Sequence, residues 1–131
     1  MDKVLPTRGQ LERQLSQAIL LSYRSQFGHL PSKVVCHLFS DKLAIIVEDI
    51  MTAVEKLLLE NSYLDLAKET RLGIDRVFSL QVKQEIERIL QIESVGLIGD
   101  SCLDNNCLGM IAILTNAPAV RSSRKNSKLQ S

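Results

Sequence analysis

The residues of this chain that could bind a metal ion are few and poorly spaced. There are three cysteines, at positions 36, 102 and 107, and two histidines, at positions 29 and 37. Thiolate and imidazole groups are good zinc ligands, but Cys36 and His37 are adjacent on a predicted strand and point to opposite faces. The sequence also has no C-x₂-C pair. We therefore expect neither a metal site nor a cofactor.

The sequence also contains no recognisable catalytic motif. Nucleophilic catalysis needs a serine or cysteine beside a histidine that a carboxylate orients, and no recognisable motif surrounds His29 or His37. Residues 96–101 contain two glycines, but their spacing is not that of a phosphate loop and favours a bulge or a sheet edge. We expect a protein that is not an enzyme.

A group of basic residues could hold an anion such as bicarbonate, phosphate or a nucleotide. The candidates are Lys33, Lys68, Arg71 and Arg76. Arginine and lysine are the side chains that recognise such anions, and two of the four flank Gly73 near a candidate helix junction. The alternative is an ordinary solvated helix surface, because Glu69 and Asp75 lie close enough in sequence to neutralise these charges.

The charge is unevenly distributed along the chain. Its 131 residues, 45% of them apolar, suit one domain with one core, and the formal net charge is +1. Four basic residues and no acid lie within residues 117–131, so residues 1–116 carry a net charge of −3. A mildly acidic body repels a phosphate backbone, so we do not expect nucleic acid as a partner.

The expected compartment is the cytoplasm. An odd number of cysteines does not suggest a secreted disulfide framework. The first residues form no apolar signal region, and no stretch approaches the ~18 apolar residues of a membrane span. The basic tail could still bring the protein to the inner membrane surface, at roughly 1 kcal/mol per basic side chain.

Helix signals recur in the first two thirds of the chain. Thr7 with Gln10 forms a capping-box pattern that opens a helix over residues 8–27, which Gly28 ends. Thr52 with Glu55 forms a second capping box. The apolar stripes between residues 53 and 90 predict a short helix and a long one, with weak points at residues 61–62 and 73.

Four strands complete the predicted fold. Residues 34–39 and 43–47 form one hairpin, and residues 92–101 and 108–115 form a second. The order α-β-β-α-α-β-β predicts an α+β domain with a four-stranded antiparallel sheet from two β-hairpins, packed with helices. This domain spans residues 1–116, and the basic segment 117–131 is expected to be disordered.

Two of these strands are apolar at every position, over residues 43–47 and 110–114. Both faces of such strands must avoid water, so either helices cover both faces of the sheet or a second subunit covers one. Domains of this kind often leave a sheet face open for a partner, which favours a homodimer. The residues expected at the interface are Leu43, Ile45, Ile46, Ile111 and Ile113.

Several ordered motifs resemble small bacterial proteins of the MpsC-like family, over about residues 7–116. They are LER at 11–13, GHLPSKV at 28–34, FSDKLAIIVED at 39–49 and TAVE at 52–55. The helix around Arg71 and the closing strand pair also match. The family is named for a sodium-linked system that generates membrane potential and is associated with inorganic-carbon uptake. The resemblance implies an accessory role without known catalytic chemistry.

The leading hypothesis is a non-catalytic cytosolic interaction or regulatory module that binds a protein partner through an apolar sheet face or edge. The resemblance makes a membrane transport complex the expected partner. The alternative is a small-anion or nucleotide sensor whose ligand shifts the oligomeric state.

Overall fold

The structure is a computed structural model that describes residues 4–122. Three helices and four strands follow one another in the predicted order. They are α1 (Arg8–Phe27), β1 (Lys33–Phe39), β2 (Lys42–Glu48), α2 (Ala53–Glu60), α3 (Leu64–Leu90), β3 (Ser94–Cys102) and β4 (Cys107–Leu114).

The strands form one antiparallel sheet in the order β1-β2-β4-β3. Each hairpin contributes one central and one edge strand, and the hairpins join where Ile45 pairs with Met110. Ser40 has a φ of 57° in the short turn between β1 and β2. The α+β fold with a four-stranded antiparallel sheet is therefore confirmed.

Both predicted capping boxes are present at the helix starts. The Thr7 hydroxyl accepts the Gln10 amide at 3.1 Å, and the Gln10 side chain accepts the Thr7 amide at 2.8 Å. Gly28 ends α1 in the left-handed region, with a φ of 68°. These are local interactions, so the predicted bounds of the first helix agree with the structure.

The break between α2 and α3 falls at the first of the two predicted weak points. Ser62 has a φ of 66° in the connection, which stops the helix there. Gly73 lies inside α3, and a side chain added there would meet no atom within 4 Å. A single glycine costs a helix only about 1 kcal/mol, which the packing of α3 offsets.

Helices α1 and α3 pack together on the same face of the sheet and form the core with it. The inward strand residues are Cys36, Leu38, Leu43, Ile45, Val47, Leu108, Met110, Ala112 and Leu114. No helix among residues 4–122 covers the opposite face, where the large side chains are exposed. The arrangement with helices on both faces is therefore not the one adopted.

The described part of the predicted tail is paired with the beginning of the chain. The Arg121 amide donates to the carbonyl oxygen of Pro6 at 2.8 Å, and Arg121 forms an isolated parallel bridge with Thr7. The expectation that residues 117–131 are disordered stays a prediction. Residues 123–131 lie outside the described residues.

Aromatic rings fill the centre of the helical layer. Tyr23 and Phe78 meet edge to face with ring centroids 4.9 Å apart, and Phe27 lies 6.0 Å from Phe78. Aromatic pairs in this geometry stabilise beyond their buried area. Phe78 is fully buried, so it holds α1 against α3.

We expect Phe78→Ala to lower the free energy of unfolding by about 3–5 kcal/mol, because it empties this contact. Leu80→Ala, two residues along the same helix, is the matched control, since Leu80 is 63% exposed. The control should change stability by no more than about 0.5 kcal/mol. Urea unfolding followed by circular dichroism measures both, and equal losses would contradict this description of the core.

Candidate functional site

A buried arginine lies where the helices meet the end of β2. Arg71 is only 4% exposed, and its Nε donates to Oε2 of Glu55 at 2.8 Å. Its Nη2 donates to the carbonyl oxygen of Ile50 at 2.9 Å and to the Tyr23 hydroxyl at 3.1 Å, and it also contacts Oε1 of Glu55. Its Nη1 donates to Asp75 at 3.1 Å. We call these five residues the Arg71 cluster.

The capping box of α2 positions the main carboxylate of the cluster. Oε1 of Glu55 accepts the Thr52 amide at 3.1 Å and the Thr52 hydroxyl at 2.9 Å. Glu55 is fully buried, and it is the only buried residue of α2. Its carboxylate therefore begins the helix and neutralises the arginine at the same time.

The other end of the cluster reaches the sheet. Asp75 accepts a hydrogen bond from the Ser101 hydroxyl on β3 at 2.6 Å. Burial raises the pKa of Asp75 above its usual value, although the hydrogen bonds from Ser101 and Arg71 lower it. Burial likewise raises the pKa of Tyr23, so that this phenol stays protonated.

The arginine itself stays charged. Burial lowers the pKa of Arg71, but the hydrogen bonds with Glu55 and Tyr23 raise it further, and the net direction is upward. Within residues 4–122, no buried polar side-chain atom is without a hydrogen-bond partner. The cluster is thus closed on itself and has a structural role.

A cleft of about 530 Å³ opens beside the cluster, between α3 and the turn that joins β3 to β4. Its wall is formed by Leu64, Lys68, Arg71, Leu72, Asp75, Asp100, Ser101, Cys102, Leu103 and Asp104. Lys68 is the only exposed base on this wall, and three aspartates accompany it. The charge of the cleft does not suit an anion.

The four predicted anion-binding residues do not form one site. Arg71 is enclosed by its own carboxylates, and Lys68 lies on the wall of the cleft. Arg76 is exposed on α3. Lys33 lies on β1, at the opposite edge of the sheet, in a separate groove beside α1. The pairing of Arg71 with Glu55 joins residues 16 positions apart, so sequence spacing gave no sign of it.

The cysteines and histidines are also dispersed. Burial raises the pKa of the Cys36 thiol to about 11, so it is protonated at neutral pH. Cys102 and Cys107 are free and face each other in register across β3 and β4. Nδ1 of His37 lies 3.4 Å from a carboxylate oxygen of Glu12 on α1. The described residues contain no cluster of three potential ligands around one metal position.

The outward side of the sheet is a surface that the Arg71 cluster does not explain, and we call it the open face. Its exposed apolar side chains are Val35, Phe39, Ile46, Val95, Ile98 and Ile111. Ala44 and Ile113 lie between them and are half-buried. Contiguous apolar surface of this kind is uncommon on a monomer and often marks an interaction site.

The five predicted interface residues divide between the two sides of the sheet. Ile46 and Ile111 are 43% and 38% exposed on the open face, beside the half-buried Ile113. Leu43 and Ile45 are fully buried under the helices and cannot contact a partner. Successive residues of a strand point to opposite faces, and this alternation separates the two groups.

A second apolar surface surrounds the connection between α2 and α3. Its most exposed members are Val54, Leu57, Tyr63, Leu64 and Leu66. Leu57 and Leu64 belong to the apolar stripes between residues 53 and 90, yet both are exposed, and α2 turns Glu55 inward instead. The sequence carried one signal for this exposure. The eight-residue helix α2 has more apolar side chains than one narrow face can bury.

The geometry defines a two-layer α+β domain with helices on one face of a four-stranded antiparallel sheet and an exposed apolar surface on the other. In residues 4–122, no helix has the length and hydropathy needed to cross a membrane. Residues 7–116 match the family described as Na+-translocating membrane potential-generating system (MpsC). The chain belongs to this family, as its resemblance in sequence predicted. No curated protein and no solved structure matches the chain significantly.

Replacing the buried arginine should be costly because it leaves the Glu55 carboxylate without its cation. We expect Arg71→Met to lower the free energy of unfolding by about 3–5 kcal/mol, and Glu55→Gln with Arg71→Met to recover part of that loss. Arg76→Met, on the exposed side of the same helix, should change stability by no more than about 0.5 kcal/mol. Urea unfolding of the four proteins tests this, and a double variant less stable than Arg71→Met would contradict it.

The raised pKa of Asp75 predicts a pH dependence of stability. The folded protein holds this proton to higher pH than the unfolded chain, in which the usual value is 3.8. Stability from this group is therefore present below that value and is lost as the pH rises through the folded pKa. Asp75→Asn has no carboxyl group to titrate here, so it does not lose this stability as the pH rises. The free energy of unfolding of Asp75→Asn minus that of the wild type should therefore increase between about pH 3 and about pH 6. A difference that falls over this range, measured by urea unfolding, would contradict the assignment.

Proposed function

We propose that this chain is a non-catalytic accessory module of a Na+-translocating, membrane-potential-generating system, and that it acts from the cytoplasm by binding protein through the open face. The observation that carries the proposal is the exposure of Ile46, Ile98 and Ile111 on one side of a sheet whose other side packs against α1 and α3. A partner could cover each of these three isoleucines without a change of the backbone, because the strands that carry them are already paired.

The chemistry of the interior supports a binding role rather than a catalytic one. Arg71, Glu55 and Asp75 satisfy one another, and the pKa values of Tyr23 and Cys36 are raised, so neither is a ready nucleophile. A reaction centre needs groups that remain free to meet a substrate. The charged groups of the Arg71 cluster are instead used to hold the helices on the sheet.

The family gives the system in which the binding would be used. Its description refers to Na+ translocation and to generation of a membrane potential. Because no described helix could itself cross a membrane, we assign the translocation step to other components and a supporting step to this chain. The open face then provides the protein contact on which that support depends.

The test is a measurement of Na+-dependent membrane potential in cells that carry the gene for this chain. Deleting the gene should lower the potential, and the wild-type chain should restore it. Ile46→Asp should fail to restore it, because a carboxylate on the open face prevents a dry contact. A potential-sensitive dye reports the result.

Leu80→Asp is the control, since Leu80 is also an exposed apolar residue but lies on α3, away from the open face. It should restore the potential as well as the wild type does. Both variants must accumulate to wild-type levels in the cells. If Ile46→Asp restores the potential fully, the proposed use of the open face is wrong.

A further inference from the structure

We infer that the open face is occupied by a second copy of this chain, in a twofold dimer whose two sheets pack face to face. The inference rests on the proposed function, because it names the partner of the surface used there. It follows from the arrangement of residues on the face, from the protection of the sheet edges and from the size of the surface.

The open face has the anatomy of a protein interface, with an apolar centre and a charged margin. Register places Ile46 beside Gly109, and Ala44 beside Ile111, on the two central strands. The charged outward positions lie at strand ends or on edge strands and are Lys33, Lys42, Glu48 and Asp100. Specific interfaces are depleted of charge at their centre and polar at their rim.

Isoleucine side chains lie over the glycines of the open face, which suits contact between two sheets. A Cβ atom added to Gly109 would lie 3.5 Å from Cδ1 of Ile46, so the isoleucine lies across the glycine. Gly96 is covered by Ile113 in the same way, at 3.4 Å. Stacked sheets pack about 10 Å apart through such side chains, with strands roughly 30° from alignment.

The charges of the margin favour one orientation of the second copy. Lys42 lies at one end of β2 in a salt bridge with Asp41, so that end is close to neutral, while Glu48 and Asp100 outnumber Lys33 at the opposite end and leave it negative. A twofold axis in the plane of the interface and across the strands exchanges the two ends. It brings Lys42 of each copy towards Glu48 of the other, and such a contact is isologous.

Both edges of the sheet carry features that discourage pairing between edge strands. The Leu38 amide of β1 donates to a carboxylate oxygen of Glu12 on α1 at 2.7 Å. The Ser101 amide of β3 donates to the Asp100 carboxylate at 2.8 Å, and β3 has an irregular register near residues 94–96. Natural sheets use such features against association through edges, so this sheet is more readily joined through its open face than through its edges.

The surface is large enough for a reversible dimer. Four strands about 4.8 Å apart and seven residues long give a footprint of roughly 19 Å by 23 Å, or on the order of 900 Å² over two copies. Specific interfaces begin at about 1,000 Å² of accessible area, and accessible area exceeds the flat footprint. We therefore expect a dimer that depends on concentration.

The test is sedimentation equilibrium of the full-length chain over a wide range of concentration. The wild type should rise from the single-chain mass of 14.7 kDa towards twice that mass. Ile111→Asp and, as a second variant on the same face, Ile98→Lys should both remain at the single-chain mass with unchanged circular dichroism. Leu80→Asp is the off-face control and should dimerise as the wild type does. Glu48→Lys should weaken the dimer several-fold if the ends are exchanged.

The outcomes separate this inference from the proposed function. A wild type that stays at the single-chain mass at every concentration overturns the dimer, even if Ile46→Asp still fails to restore the membrane potential. Dimerisation that Ile111→Asp and Ile98→Lys both leave intact also overturns it, because the contact is then elsewhere. A dimer that Ile111→Asp dissociates, together with full restoration of the potential by Ile46→Asp, supports the dimer and overturns the proposed function alone.

Discussion

The architecture depends on one guanidinium group that is removed from water. Arg71 joins α1 through Tyr23, the end of β2 through the carbonyl group of Ile50, α2 through Glu55, and β3 indirectly through Asp75. A buried charge is tolerated only when its donors are paired, so these contacts favour the observed positions of the elements around the arginine. The result is a set of helices held on one side of the sheet.

Because the helices are held on one side, the apolar residues on the other side of the strands remain uncovered. Ile45 and Ile46 are adjacent, yet the first is fully buried and the second is 43% exposed. A chain that needed only a stable fold could carry polar residues at such outward positions. Folding alone does not require an apolar face there, and the proposed binding function accounts for it.

Local features were predictable from the sequence and long-range ones were not. The capping boxes at Thr7 and Thr52 and the left-handed Gly28 act within a few residues, so the starts of α1 and α2 and the end of α1 were predicted correctly. The contact between Arg71 and Tyr23 spans 48 positions, and a basic residue in a helix reads as solvated until its partners are known. The apolar run 43–47 predicted that both strand faces avoid water, but nothing in it distinguished cover by helices from cover by another molecule.

The most direct test of this account compares the two neighbouring isoleucines in solution. Methyl NMR spectra in the presence of a soluble paramagnetic agent report which side chains the solvent reaches. We predict that the methyl signals of Ile46 and Ile111 are broadened in dilute protein and protected in concentrated protein. The methyl signals of Ile45 should be protected at both concentrations. The methyl signals of Leu80 should be broadened at both concentrations. Equal broadening of Ile46 and Ile111 at every concentration would contradict the claim that a second copy covers the open face.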